Sequence, residues 1–191
     1  TLINAAIKSE NEMAGASTGG LDQNASMRCT AGHALLLDCR PELTPLENVS
    51  QQEFDLDKYN LELLVVDTQA PHQLNDGQYA QRRATCEEAA KILGVANLRV
   101  TADGISKADD QFQALKETLD ALPDETMKKR VRHVVTEIER VRSFVRAFAQ
   151  GDIKAAGRLF NASHDSLAAD YEVTVPELDI AVDVARKNGA Y

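Results

Sequence analysis

The chain has 191 residues, with 30 acidic and 21 basic side chains and a formal net charge of −9. That length suits one domain or part of two, and the acidic balance gives no footprint for nucleic acid or for an anionic membrane surface. Three scattered cysteines, Cys29, Cys39 and Cys86, form no CxxC pair, which argues against a zinc ribbon or a disulfide framework and fits a reducing, cytoplasmic setting.

In chain order, residues 2–14 read as the end of a helix, because Leu2, Ile3, Ala6, Ile7, Glu10 and Met13 recur at spacings near 3.6 and Gly15 stops it. Next comes Ser17-Thr18-Gly19-Gly20-Leu21-Asp22-Gln23, a carboxylate directly after a glycine turn. Gly19 and Gly20 can take positive φ and let a ligand approach the backbone. Asp22 would sit where a helix begins, in the field of its dipole, either as a helix cap or as a group facing a ligand. A carboxylate beside a sugar hydroxyl can orient it or take its proton.

The runs at 31–38 and 62–68 are short and rich in β-forming residues, which predicts strands, and the polar stretch 48–60 between them reads as a surface connection. Residues 61–66, the most apolar stretch, are too few to cross a bilayer and include a charge. Asp76-Gly77 predicts a turn before a helix over 78–93, ended by Gly94. A short extended piece at 98–100 precedes helices at 109–122, 124–150 and 152–169, with Asp152 as the N-cap after Gly151. The last helix begins at Val175-Pro176-Glu177, where proline suits the first turn.

Within 124–150, Val131, Val134, Val135, Ile138, Val141, Val145 and Phe148 form an apolar stripe that reads as core, while Lys128-Lys129-Arg130, Arg140 and Arg142 read as a solvated face. His33, His133 and His164 have no second ligand at metal spacing, so each reads as a hydrogen-bonded structural histidine and no metal site is expected in this chain. Arg82 and Arg83 are expected to pair with Glu87 or Asp76. Tyr79, at a helix start, reads either as a packing residue or as a ligand contact. The pattern as a whole is α+β, helix-rich with a few mostly antiparallel strands.

Five blocks carry a family resemblance: Glu10-Asn11-Glu12-Met13 with Gly20-Leu21-Asp22-Gln23; Gly32-His33-Ala34-Leu35-Leu36-Leu37-Asp38-Cys39-Arg40; Tyr79-Ala80-Gln81-Arg82-Arg83 through Cys86-Glu87-Glu88-Ala89; Arg132-His133-Val134-Val135-Thr136-Glu137; and Asn161-Ala162-Ser163-His164 through Asp170-Tyr171-Glu172-Val173 to Pro176-Glu177-Leu178-Asp179. In this order they resemble the galactokinases of the GHMP family of small-molecule kinases. The resemblance implies a GHMP-kinase-like fold, with residues 1–60 as the end of the N-terminal kinase lobe and 61–191 as most of the helix-rich C-terminal lobe. It implies ATP-dependent phosphorylation of galactose at the C1 hydroxyl. Asp22 would then be the catalytic residue and a sugar ligand, and Tyr79, Gly20 and Gly19 would be further sugar contacts.

The family's opening sugar motif and its GxGLSSSAS-like phosphate loop have no counterpart here, and the sequence stops at Gly189-Ala190-Tyr191, where a last glycine-rich motif would continue. The resemblance therefore implies a fragment. ATP and Mg²⁺ belong to the intact enzyme, no nucleotide or metal is expected on this chain, and the chain alone is expected to be inactive. A kinase for another hexose or an N-acetylhexosamine, or a non-catalytic sugar-sensing or interaction module derived from the fold, are the alternatives. The partners expected are galactose and, in the intact enzyme, ATP, with no nucleic acid and no membrane.

Overall fold

The computed structural model describes residues 2–15, 18–40, 42–44, 46–70 and 78–191. The chain divides into two compact units, Thr1–Leu64 with Gln73–Tyr79, and Val65–His72 with Ala80–Tyr191.

In the first unit, α1 (Leu2–Lys8) runs into a single π turn (Ser9–Ala14) that ends on Gly15 at φ 69°, as the glycine position predicts. Helix α2 (Leu21–Arg28) follows. Strand β1 (His33–Leu37) lies within the predicted run and pairs antiparallel with β2 (Val49–Glu53), from His33 opposite Glu53 to Leu37 opposite Val49. This corrects the reading of 48–60 as a plain connection. With Val49 its only large aliphatic, Val-Ser-Gln-Gln-Glu shows no apolar alternation, and the strand forms because the backbone edge of β1 supplies its partners. Asp38 N–H donating to Asn48 O at 2.7 Å and Phe54 N–H to Gly32 O at 2.8 Å extend the pairing beyond both ends.

The strand expected at 62–68 does not form. Among the described residues, 61–70 pair with no strand, and Leu63, Leu64 and Val65 stand 75–82% exposed. Branched, apolar residues fit a segment to a half-buried pleated surface, but a strand exists only where another edge satisfies its backbone.

The second unit is helical. Helix α3 (Gln78–Ile92) ends ahead of Gly94, at φ 68°, while the turn expected at Asp76-Gly77 lies outside the described residues. The extended piece expected at 98–100 is instead the start of α4 (Leu98–Ser106). Asn97 Oδ1 accepts from the N–H groups of Arg99 and Val100 at 3.1 and 3.3 Å, nucleating a helix whose Leu98 and Ala102 are buried. Helices α5 (Gln111–Asp120), α6 (Glu125–Ala149) and α7 (Ile153–Ser166) start on Asp110, Asp124 and Asp152, each accepting an N–H three residues on at 2.9 Å. Such caps are each worth about 1 kcal/mol. A second π turn (Leu167–Tyr171) closes α7, and α8 (Pro176–Lys187) opens on proline as expected.

The core of this unit gathers Ala89 and Ala90 of α3, Leu98 and Ala102 of α4, Leu122, and Met127, Val131 and Val135 of α6. The stripe expected along α6 is therefore core, with Val131 fully buried, although Val141 near its far end is 41% exposed. Burying one such aliphatic side chain contributes about 1.5–3 kcal/mol, which is why packing rather than intrinsic propensity holds these helices. Among the described residues no helix is long and apolar enough to cross a membrane, and no group of three His, Cys, Asp or Glu could hold a metal ion.

Candidate functional site

Asp22 stands in the first turn of α2, one residue after Leu21, and is exposed. The helix directs Gln23 and Asn24 inward, where they are 9% and 6% exposed, and leaves Leu21 and Asp22 outward. Among the described residues no side chain pairs with the Asp22 carboxylate. The position that caps the helix is not Asp22 but Gly20, in the left-handed region at φ 85°. With the capping role taken by a glycine backbone, the carboxylate is left to face outward at the positive end of the helix dipole.

The two glycines differ. Gly20 is buried, and a Cβ there would lie 2.4 Å from Ile7 Cδ1. Gly19 does not adopt positive φ, and among the described residues a Cβ there would meet nothing within 4 Å, so of the two glycines that could take positive φ only Gly20 does. Replacing Gly20 with Ala is expected to destabilise the chain by about 1–2 kcal/mol through left-handed strain and displacement of Ile7. Gly19→Ala is expected to leave stability within about 0.5 kcal/mol. Urea unfolding of both variants separates these outcomes.

The turn is tied down by a relay of hydrogen bonds. Asn11, in the π turn after α1, accepts from Thr18 N–H at 2.9 Å and donates to Thr18 O at 3.4 Å. Thr18 Oγ1 accepts from Gly20 N–H at 3.2 Å, and Gly20 O accepts from both the backbone N–H and the amide of Asn24 at 3.1 and 2.8 Å. Arg28 then donates to Asn24 at 3.0 Å and to Asn48 at 3.1 Å. Sequence reading takes Asn11 only as part of a family block; an asparagine reaching seven residues ahead leaves no periodic signal.

Tyr79 lies in the first turn of α3, 54% exposed. Gly19, Gly20 and Asp22 share one turn, whereas among the described residues no hydrogen bond joins Tyr79 to them. Among the described residues about half of the Tyr79 surface is exposed, which is compatible both with a partly buried packing residue and with a ligand contact.

Most other motif residues serve structure. Arg83 pairs with Glu87 at 2.9 Å, as expected. Arg82 donates to the backbone carbonyls of Tyr171, at 2.8 Å, and Glu172, while Asp76, its other expected partner, lies outside the described residues. Arg130, read from sequence as part of a solvated face, is 7% exposed, donates to Asp170 O and pairs with Glu172 at 2.6 Å. The correction has a simple cause: charge alone does not reveal that the π turn at Leu167–Tyr171 presents carbonyls to this side of α6. Hydrogen bonds from Arg130 and then Lys129 hold the Glu172 carboxyl below the usual range.

His133 and His164 are structural, as expected. His133 Nδ1 lies 2.9 Å from Ser166 Oγ, which donates to Asp170 at 3.2 Å, and the imidazole stacks on Tyr171 at 4.5 Å. Burial, reinforced by the Arg140 and Arg130 charges and opposed by Asp170, pushes His133 down to about 4. His164 reaches Asp179 at 3.1 Å, Ser163 donates to Glu137 at 2.6 Å, and Arg186 binds Asn161 and Asp165. The block from Asn161 to Asp179 is thus a set of ties among α6, α7 and α8.

No family model matches the chain. Over nearly all its length the chain is similar to galactokinases. That of Streptomyces coelicolor is 42% identical over 186 residues, 96% of this chain and 44% of that protein. That of Haemophilus influenzae strain Rd is 38% identical over 179 residues, 94% of this chain and 43% of that one. The crystal structure of Lactococcus lactis galactokinase complexed with galactose matches with a TM-score of 0.76 at 30% identity, over 97% of this chain and 45% of that one. The chain therefore has the fold of part of a galactokinase, and it spans less than half the length of the curated relatives it matches.

Proposed function

We propose that this chain, similar to galactokinases over nearly its whole length, is part of a galactokinase and carries its catalytic base. The observation that supports the reading most is Asp22, exposed on the first turn of α2 behind a glycine cap, in a chain 42% identical to a galactokinase. Residues 1–60 would be the end of the N-terminal kinase lobe and 61–191 most of the C-terminal lobe.

In the reaction the C1 hydroxyl oxygen of galactose attacks the γ-phosphorus of ATP, the bond to the ADP oxygen breaks, and Asp22 takes the hydroxyl proton. Such transfers depend mainly on positioning and charge stabilisation. Asp22 orients the hydroxyl, Tyr79 packs its ring on the apolar face of the sugar and hydrogen-bonds through its phenol, and the open space at Gly19 admits the ligand close to the backbone. In the complete enzyme ATP would supply the phosphoryl group and Mg²⁺ would offset its charge. Three free thiols, Cys29, Cys39 and Cys86, suit a reducing cytoplasm.

A coupled kinase assay on the complete protein tests the reading. Galactose with MgATP should give turnover, and N-acetylgalactosamine should give at most a small fraction of it; preference for the acetylated sugar would reassign the substrate, and silence with every sugar would leave a sensor. Tyr79→Phe should raise KM for galactose about 5–20-fold with kcat nearly unchanged, the signature of binding that is equal in ground and transition states. A fall in kcat at unchanged KM would give Tyr79 a transition-state role instead.

A further inference from the structure

We propose that Asn11 is a positioning residue for Asp22, a role that rests on the base assignment above. The amide of Asn11 closes a two-bond bridge on the backbone of Thr18, accepting from its N–H at 2.9 Å and donating to its carbonyl at 3.4 Å. An amide side chain offers an acceptor and a donor side by side for such a bridge. From Thr18 the relay passes through Oγ1 to Gly20 N–H at 3.2 Å, and from Gly20 O to Asn24 at 2.8 Å, which brackets Asp22 on both sides within the chain.

Two features separate this from ordinary stabilisation. Asn11 is exposed, so its amide supports no core. It also sits in a π turn, Ser9–Ala14, closed by Gly15 N–H on Glu10 O; such turns are rare and are found frequently at functional sites. A wide turn at the end of α1 holds the amide over the segment that leads into α2. The clamp fixes where the first turn of α2 starts, and with it the direction of the carboxylate. Displacing a catalytic group by about 1 Å can cost about 100-fold in rate.

The test uses the complete enzyme with galactose and MgATP. Asn11→Ala should lower kcat by about 10–100-fold, with KM for MgATP and the melting temperature unchanged. Asn11→Asp, which keeps the acceptor for Thr18 N–H and loses the donor, should fall between. In an Asp22→Asn background the Asn11→Ala change should cost nothing further, because a residue that acts through another has no effect once the other is removed. Wild-type kcat in Asn11→Ala beside an inactive Asp22→Asn enzyme overturns the clamp alone. An equal fall in both backgrounds overturns it too, by making the effect generally structural. Near-normal turnover of Asp22→Asn itself sinks the base assignment beneath it. If Asn11→Ala does not fold, the same comparison is made with Asn11→Asp.

Discussion

Asp22→Asn is expected to lower kcat of the complete enzyme by about 1,000-fold, within the range that a positioned general base contributes. The substitution keeps the size and planarity of the side chain and still offers an oxygen to the sugar hydroxyl, so KM for galactose should change little. It should not disturb folding either. The carboxylate is exposed, Gly20 rather than Asp22 caps α2, and the charge lost at the first turn is worth no more than about 1 kcal/mol. An unchanged melting temperature with vanishing turnover would locate the loss in the chemistry. Turnover within about threefold of the parent enzyme would remove Asp22 from the proton transfer and leave it as a sugar ligand or a favourable helix-terminus charge.

How legible the molecule was depended on where the determining partner lies. Most helices are readable because their signals are local: Asp110, Asp124 and Asp152 each cap the N–H three residues on, Gly15 ends the π turn after α1, and Gly94 follows α3; α4 is the exception, since its short β-branched start reads as extended until the Asn97 cap is seen. The α6 stripe was readable because a 3.6-residue period states which face is buried. Strands depend on partners distant in sequence, and there the reading failed twice. It missed β2, whose pairing comes from β1, and it expected a strand at 62–68, where no edge lies alongside among the described residues. Arg130 failed for the same reason, since its partners at Asp170 and Glu172 are about forty residues away on another element. At the candidate site the glycine turn and Asp22 were visible as a motif. What composition could not reveal was the division of labour between the glycines, with Gly20 forced by φ and by Ile7 and Gly19 by neither. The relay from Asn11 was invisible because one amide seven residues upstream has no pattern.

A distant partner also makes stability depend on pH. His133 is 6% exposed, hydrogen-bonded to Ser166 and faced by Arg130, Arg140 and Asp170, with burial as the first cause of its fall to about 4 from the ordinary 6.5. A histidine held neutral in the fold while the unfolded chain protonates makes the unfolded state bind more protons between those two values, so stability must rise with pH across that window. Its contribution is present in full above about pH 6.5 and is lost as the pH falls toward 4. At pH 4.5 the loss from this one group is about 2.5 kcal/mol, comparable with a buried aliphatic side chain. Glu172 and Asp103, whose carboxyls lie below their ordinary range beside arginines, lose their contributions in the same direction but at lower pH. The histidine term is isolated by His133→Asn, which can keep a hydrogen bond to Ser166 Oγ and does not titrate. Urea unfolding at pH 7 and pH 4.5 should show the parent chain losing about 2–3 kcal/mol more than the variant. Equal losses in the two proteins would mean that His133 protonates in place, and that the stack on Tyr171 and the Ser166 bond tolerate the charge.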